Sequence, residues 1–235
     1  EPYFSSRAKG NIYDFVESYK ENCEKTAGKG LMCMFSGNHD VDRLARHLHG
    51  DELKVAFAFI LSMPGAPFIY YGDEIGMRYV EGLKSVEGGY NRTGSRSPMQ
   101  WDDSTNAGFS SAPASDLYIA MDPDKDRPTA KKEMAAPDSL YHEVKKLIRI
   151  RQSHKALQSR GKITFVYAEK NAYPLAYIRE DGDEKILVII NAAAEAKTFA
   201  CDAEPKEAIY NFGAAAEAKN GKITVPAQSA GFYRI

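Results

Sequence analysis

Three polar residues that could bind a sugar follow the first short apolar run of the chain. Asn38, His39 and Asp40 are adjacent, and the run from Leu31 to Phe35 lies just before them. Together they offer an amide, an imidazole and a charged acceptor, which suits several sugar hydroxyls at once, and a carboxylate can stabilise positive charge that develops on a sugar ring. The same residues also fit a plain polar turn in which Asp40 caps a helix. Spacing alone leaves both interpretations open.

The flanking segments predict the alternation of helices and strands that is typical of a parallel α/β fold. Helical spacing of apolar residues predicts a helix from about Asn11 to Thr26, and the run at 31–35 fits a strand buried on both faces. A second, almost wholly apolar helix begins at Asp51, and a second buried strand is predicted from Pro67 to Tyr71. Ligands bind at the carboxyl ends of such strands, so this order places residues 38–40 where a site is expected.

A long segment without periodicity follows, at residues 73–138. Glycine and proline interrupt every candidate element in it, and connections of this length are in most cases functional or disordered. A strong helix, capped by Asp138 or Ser139, then runs to about His154.

The C-terminal third of the chain has a different sequence pattern. Short β-rich runs separated by turn signals, with no helix between them, predict a small antiparallel sandwich. We therefore place a domain boundary near Ser159, which divides the chain into residues 1–158 and 159–235.

Three motifs, in family order, resemble the alpha-amylase family of glycoside hydrolases. Residues 35–43 read FSGNHDVDR and resemble its fourth conserved block, and residues 66–76, APFIYYGDEIG, resemble the strand that closes its barrel. Residues 95–102, SRSPMQWD, followed by NAGF at 106–109, are similar to a stretch of its α-glucosidase and trehalose synthase branch. The resemblance implies an α/β plus all-β chain: the C-terminal part of a (β/α)8 TIM barrel (last two strands, long loop, final helix), then an antiparallel β-sandwich. It also implies action on α-linked glucosides with retention.

The resemblance also assigns roles to four residues. By position, Asp40 is implied to be the third catalytic-site carboxylate, which holds sugar hydroxyls and stabilises the transition state. Asn38 and His39 are implied to lie in the same subsite, with His39 hydrogen-bonded to sugar hydroxyls. Arg96 is implied to contact the sugar at the closed end of the pocket.

Two further residues in these motifs have structural interpretations. Arg43 is interpreted as a structural ion-pair partner. Trp101 fits either a stacking platform for a sugar or a packing anchor for the long loop.

The two carboxylates that carry out retaining hydrolysis have no match in the sequence. The reaction needs a nucleophile and an acid/base roughly 5 Å apart, which the family supplies from a Gly-x-Arg-x-Asp block and a later Glu. Neither block is found, nor is the first family block, in which Asn-His follows an Asp. Asp73 and Glu74 are interpreted as loop anchors rather than substitutes. A barrel needs eight parallel strands and we count two, so we expect the chain to be a fragment. Because neither catalytic carboxylate is found, we expect this fragment to be inactive alone.

Composition excludes several other classes. The 235 residues carry 31 Lys and Arg against 32 Asp and Glu, so nothing points to nucleic acid or an anionic membrane as a partner. Three scattered cysteines suggest neither a zinc site nor a disulfide framework, and they favour a cytoplasmic location, with secretion left open because the chain begins at Glu1. No cofactor or metal is expected. Calcium, which some family members bind, stays possible in the complete enzyme, but we identify no Asp-x-Asp-x-Asp cluster for it here.

The expected partner is an oligosaccharide or α-glucoside substrate, with self-association through the incomplete barrel face also possible. Two alternatives stay open. One is a non-catalytic glucosidase-like binding or scaffold protein, against which the intact Asn38–Asp40 triplet argues. The other is a carbohydrate-binding module in which the aromatic residues of the sandwich bind sugar, although aromatics in a sheet more often pack.

Overall fold

The helices form close to where apolar periodicity predicts them. In the computed structural model, which describes residues 3–8, 10–85 and 92–235, α1 spans Tyr13–Thr26 and α2 spans Asp51–Ser62. α2 is buried along almost its whole length, as its composition predicts. A short helix that we did not predict, α3, spans Ala130–Ala135, where the Thr129 side chain accepts a hydrogen bond from the Lys132 amide. α4 spans Leu140–Ser153.

Two short strands precede the polar loops. β1 spans Cys33–Phe35 and β2 spans Ala66–Phe68, and they pair in a two-stranded sheet. The Ala66 amide donates to the Met32 carbonyl, and the Ser36 amide donates to the Phe68 carbonyl. The partners advance together along both strands, which is the pattern of parallel pairing.

The prediction that both strands are buried on both faces is wrong. Only Met34 of β1 is buried, whereas Phe35 is 48% exposed and Phe68 of β2 is 59% exposed. An apolar run reports residue type alone, and burial on both faces needs elements packed on both faces of the sheet.

The C-terminal part forms antiparallel sheets, as predicted. The strands are β3 Lys162–Tyr167, β4 Leu175–Asp181, β5 Glu184–Asn191, β6 Lys197–Ala200, β7 Ala208–Phe212, β8 Glu217–Lys219, β9 Lys222–Val225 and β10 Ser229–Arg234. One sheet has five strands in the order β3-β4-β5-β10-β7, and the other has three in the order β6-β9-β8. The β-rich runs of the sequence, at 163–168, 175–179, 186–191, 208–212, 223–225 and 231–235, predict six of these strands but not β6 and β8.

One apolar cluster receives side chains from both sheets. Leu187 and Ile189 come from the five-stranded sheet, and Phe199, Ile223 and Val225 come from the three-stranded sheet. Seven aromatic residues of the sandwich were considered as sugar platforms, namely Tyr167, Tyr173, Tyr177, Tyr210, Phe212, Phe232 and Tyr233. All of them except Tyr167 and Phe212 are buried. Buried rings offer no face to a ligand, so these residues act in packing.

Two buried arginines bind the C-terminal end of α2. Arg151 of α4 donates to the Leu61, Met63 and Gly65 carbonyls at 2.8, 2.7 and 2.9 Å. Arg179 of β4 donates to the Ser62 carbonyl and, at 2.7 Å, to the Gln158 carbonyl. The last carbonyls of a helix have no partner within the helix, so the two guanidinium groups satisfy acceptors that burial would otherwise leave unpaired. Burial lowers the pKa of Arg179 to about 10.

The chain divides into two compact units, each assembled from separate segments. The first comprises Glu1–Met34, Gly50–Pro67 and Lys146–Ile235, and the second comprises Phe35–His49 and Phe68–Lys145. All of the predicted site residues belong to the second unit. The domain boundary at Ser159 stays a prediction.

Candidate active site

The loop after β1 is shaped by the side chain of Asn38. Its Oδ1 accepts hydrogen bonds from the Asp40 amide at 2.7 Å and the Val41 amide at 3.1 Å. This is a local turn in which an Asn side chain replaces a backbone acceptor. No α-helix begins at Asp40, because the next helical residues form a short 3₁₀ turn at Leu44–Arg46. The interpretation of Asp40 as a helix cap is therefore wrong, and its carboxylate has other partners.

Asp40 is held through one of its two carboxylate oxygens. Its Oδ1 lies 2.9 Å from Arg92 Nη1 and 3.2 Å from Arg96 Nη2. Its Oδ2 lies 3.3 Å from Nε2 of His39. Arg96 also donates from Nε to the His39 carbonyl at 2.9 Å. The Asp40 side chain is 46% exposed, so the carboxylate is both fixed in orientation and accessible.

The structure thus brings together all four residues that the sequence assigns to a sugar site. Arg92 is an addition that the sequence analysis missed. It lies outside the motif that contains Arg96, and the only signal for it was the four-residue spacing between the two arginines, with Thr93–Arg96 forming a 3₁₀ turn.

A buried ion pair lies at the base of the loop. Arg43 Nη1 is 2.9 Å from Asp73 Oδ1, and both side chains are inaccessible to solvent. Arg43 also donates to the Tyr71 carbonyl at 2.8 Å, and its guanidinium centre lies 4.8 Å from the ring centroids of Tyr70 and Tyr71. The structure therefore confirms Arg43 as a structural ion-pair partner.

Asp73 also connects to the end of β1. Ser36 Oγ donates to Asp73 Oδ2 at 2.7 Å and accepts from the Tyr70 amide at 3.0 Å. A Cβ atom at Gly37 would lie 2.9 Å from Asp73 Oδ2, so the close approach of this carboxylate requires a glycine. Burial raises the pKa of the Asp73 carboxyl, although Ser36 and Arg43 oppose that effect. Asp73 acts as the loop anchor that the sequence predicted.

Hydrogen bonds hold the backbone of Trp101, and its indole is half exposed. Its amide donates to the Ala107 carbonyl at 2.8 Å, and its carbonyl accepts from the Lys131 amide at 2.9 Å. The side chain is 51% exposed. About half of the indole is therefore covered and half is accessible, and both interpretations of Trp101 stay predictions.

Residues 122–126 do have Asp-x-Asp-x-Asp spacing, which the sequence analysis passed over. Asp122 and Asp124 pair with the two terminal nitrogens of Arg78 at 3.2 and 2.9 Å, and Asp124 Oδ1 accepts from the Asp126 amide. In the described ranges, no group of three or more His, Cys, Asp or Glu side chains could hold a metal ion. Likewise, none of the helices within those ranges has the length and apolar character to cross a membrane.

Comparison with known proteins identifies relatives of the chain. The alpha-amylase catalytic domain family matches residues 4–160. Glucan 1,6-alpha-glucosidase from Streptococcus pneumoniae is 29% identical, over 96% of this chain and 48% of that protein. The human amino acid transporter heavy chain SLC3A1 is 30% identical, over 77% of this chain and 25% of that protein. The chain thus spans half or less of the length of these relatives.

A solved structure shows the same fold. The trehalulose synthase MutB from Pseudomonas mesoacidophila MX-45 superimposes with a TM-score of 0.81 and 25% identity, over 95% of this chain and 46% of that one. The family match covers most of the chain, and it includes the Asn38–Asp40 loop and the arginines that hold it. The chain belongs to the alpha-amylase family.

Proposed function

We propose that this chain is the C-terminal part of a retaining glycosidase that acts on α-linked glucosides, and that it supplies one wall of the active site. The observation that carries the proposal is the fixed carboxylate of Asp40, whose Oδ1 is held by Arg92 and Arg96 while Oδ2 contacts His39. In this proposal, residues 1–158 are the last part of the barrel and residues 159–235 are a sandwich domain.

Asp40 would act on the charge that develops in the transition state. Retaining hydrolysis passes through a state that resembles an oxocarbenium ion, with positive charge on the sugar ring. A carboxylate that is already oriented stabilises this charge without reorganising during the reaction. The two arginines supply the orientation, and Oδ2 is the atom that would face the sugar.

The neighbours of Asp40 would bind sugar hydroxyls. The Oδ1 atom of Asn38 is used by the loop backbone, so its amide nitrogen is the group left to meet a hydroxyl. His39 is two-thirds exposed, which leaves its ring accessible to a ligand. Arg96 connects His39 and Asp40, because it donates hydrogen bonds to the His39 carbonyl and to the Asp40 carboxylate.

The chain alone would lack the chemistry of bond cleavage. Its sequence has no Gly-x-Arg-x-Asp block for a nucleophile, and the nearby Asp73 is buried in its pair with Arg43. One carboxylate at Asp40 cannot both attack the sugar and protonate the leaving group, because those events occur on opposite sides of the same bond. The complete enzyme would draw both missing carboxylates from another part of the protein.

The test is an activity assay with the purified chain. Maltose, isomaltose and an aryl α-glucoside are incubated with the wild-type chain and with Asp40→Ala, and release of glucose or aryl alcohol is followed. We expect no release from either protein. Turnover that copurifies with the wild-type chain and disappears in Asp40→Ala would overturn the proposal.

A second candidate function is a non-catalytic binding or scaffold protein. The similarity to the human transporter heavy chain favours it, because the name of that relative describes a transporter subunit rather than a glycosidase. The reading frame upstream of Glu1 discriminates between the two candidates. Our proposal expects an Arg-x-Asp block and a Glu block there, and an upstream frame without them would favour the scaffold.

A further inference from the structure

Residues 92–96, which we call the arginine turn, carry both arginines that bind the Asp40 carboxylate. This turn also holds the chain on both sides of Asp40. Before Asp40, a guanidinium group of the turn donates to the His39 carbonyl at 2.9 Å. After Asp40, Ser95 Oγ donates to the Val41 carbonyl at 2.6 Å. The two peptide units that flank the carboxylate residue therefore have one common support.

The hydrogen bond from Ser95 is closed to solvent. Ser95 is wholly buried, whereas the Asp40 side chain is 46% exposed. Water therefore does not compete for the Ser95 hydroxyl, and in such surroundings a hydrogen bond is strong and its loss is costly. Burial also means that Ser95 does not itself touch a sugar. Any effect of Ser95 on sugar binding must pass through the groups that it holds.

The arginine turn is fixed by a second segment of the same unit. The Val80 amide donates to the Gly94 carbonyl at 3.1 Å. A Cβ atom at Gly94 would lie 2.6 Å from a Tyr79 ring carbon and closer still to the Val80 carbonyl oxygen, so this close approach requires a glycine. The Arg46 guanidinium centre in turn lies 3.9 Å from the centroid of the Tyr79 ring, which is a cation–π contact. The turn is thus held at Gly94, and Ser95, the next residue, attaches the Asp40 loop to it.

We propose that Ser95 is a positioning residue for the sugar site. Its hydroxyl fixes the Asp40 loop relative to the arginine turn, and in this way sets the direction of the Asp40 carboxylate. This inference rests on the proposed function. A carboxylate stabilises developing charge best when its orientation is fixed beforehand, and a functional group keeps its geometry only when the residues around it are themselves held. Ser95 supplies that support without contacting the ligand.

The test is the binding of a cationic and a neutral sugar analogue to the purified chain by calorimetry. The iminosugar 1-deoxynojirimycin, protonated at its ring nitrogen, represents the charged sugar ring, and methyl α-glucoside is the neutral reference. We expect Ser95→Ala to weaken 1-deoxynojirimycin binding by about three- to tenfold, the effect of one lost hydrogen bond, and to change methyl α-glucoside binding much less. Ser97→Ala is the matched control, because Ser97 is equally buried but its Oγ has no hydrogen-bond partner among the described residues. It should bind both compounds like wild type.

A double-mutant cycle distinguishes positioning from a general loss of structure. In the Asp40→Asn background there is no carboxylate charge to orient, so the addition of Ser95→Ala should weaken 1-deoxynojirimycin binding by less than about twofold. A purely structural role would give the same loss in both backgrounds, and that result would overturn the inference. Wild-type affinity in Ser95→Ala would overturn it as well.

The outcomes separate this inference from the proposed function. A loss in Asp40→Asn that Ser95→Ala does not share would overturn the positioning role and leave the proposed function standing. If the wild-type chain does not bind 1-deoxynojirimycin, or binds it no better than Asp40→Asn does, both are overturned. Circular dichroism checks the fold of each variant. Ser95→Cys keeps a weak donor of similar size and replaces Ser95→Ala if that variant does not fold; its affinity should lie between those of wild type and Asp40→Asn, and wild-type affinity would contradict the inference.

Discussion

The Asp40 carboxylate is oriented by two arginines, and the loop that carries it rests on a third. Arg92 and Arg96 act on the accessible carboxylate, whereas Arg43 is buried and pairs with Asp73 below the loop. The two environments give these ion pairs different energetic weight. An exposed pair contributes little because water and salt screen it, whereas removal of one partner from a buried pair leaves a charge without compensation.

Replacement of Arg43 tests this difference. We expect Arg43→Met to lower the free energy of unfolding by about 3–5 kcal/mol, because it leaves the Asp73 carboxylate buried and unpaired. Urea denaturation measures the change. Arg46→Met is the matched control, since Arg46 forms more exposed pairs with Asp42 and Glu81 and should cost about 0–1 kcal/mol. Equal losses in the two variants would contradict a distinct role for the buried pair.

The C-terminal end of α2 depends on side chains supplied by other elements. The helix is apolar around its whole circumference, so burial stabilises it, but its last carbonyls are buried as well. Arg151 alone satisfies three carbonyls in this region. The element therefore relies on a cation whose own burial is unfavourable, which is consistent with the lowered pKa of Arg151.

Arg151→Met should accordingly destabilise the protein. Each buried acceptor left without a donor costs about 1–3 kcal/mol, so we expect a loss of about 3 kcal/mol or more in the free energy of unfolding. Arg149→Met, at an exposed position on the same helix, is the control and should change stability little. A loss in Arg151→Met no larger than in the control would show that the carbonyls find other donors.

Glu184, at the start of β5, should make stability depend on pH. Burial alone would raise the pKa of this carboxyl, but hydrogen bonds from the Ala156 amide at 2.9 Å and from His154 Nδ1 at 2.6 Å outweigh that effect and lower it. Arg234 lies near the same group, at 3.9 Å. A lowered carboxyl pKa contributes stability that is present above the unfolded value of about 4.3 and is lost as the pH falls through the folded value.

We therefore expect Glu184→Gln to be less stable than wild type at neutral pH and to lie closer to it at about pH 3, below the unfolded pKa of the wild-type carboxyl. Urea denaturation at the two pH values measures this. Glu217→Gln, on the exposed strand β8, should match wild type at both. A deficit in Glu184→Gln that persists at low pH would contradict the electrostatic explanation.

The sequence predicted elements where local pattern decides the structure, and it failed where neighbours decide. The position and burial of α2 follow from its composition. The burial of β1 does not follow from its composition. Phe35 is apolar, but it is exposed because no other element that the structure describes covers its face of the strand. α3 was not predicted, because it lies in a segment in which frequent glycine and proline residues obscure helical periodicity. Within the site, the motif identified Asp40 and Arg96, but Arg92 has no motif of its own and only the folded chain reveals its contact with Asp40.

At the scale of the whole molecule, the central question is what a chain of this length contributes to an active site. It spans 48% of the length of glucan 1,6-alpha-glucosidase, and it contains the oriented carboxylate of Asp40. In our proposal, the pair of carboxylates that cleaves the bond comes from another part of the protein. We therefore propose that this chain contributes recognition of a cationic transition state rather than the covalent step. Recognition of this kind can be measured without turnover, because a transition-state-like cation should bind more tightly than a neutral sugar.

The most direct test is the binding of an iminosugar to the purified chain by calorimetry. At a pH where the ring nitrogen of 1-deoxynojirimycin is protonated, this cation resembles the charged sugar ring, and methyl α-glucoside serves as the neutral reference. We predict that Asp40→Asn weakens iminosugar binding by about tenfold or more, since a charge-assisted contact is lost, and that it changes methyl α-glucoside binding much less. Asp42→Asn, which removes a carboxylate two residues away that pairs with Arg46 and His47, should bind both compounds like wild type. Equal affinity of the wild-type chain and Asp40→Asn for the iminosugar would contradict the account.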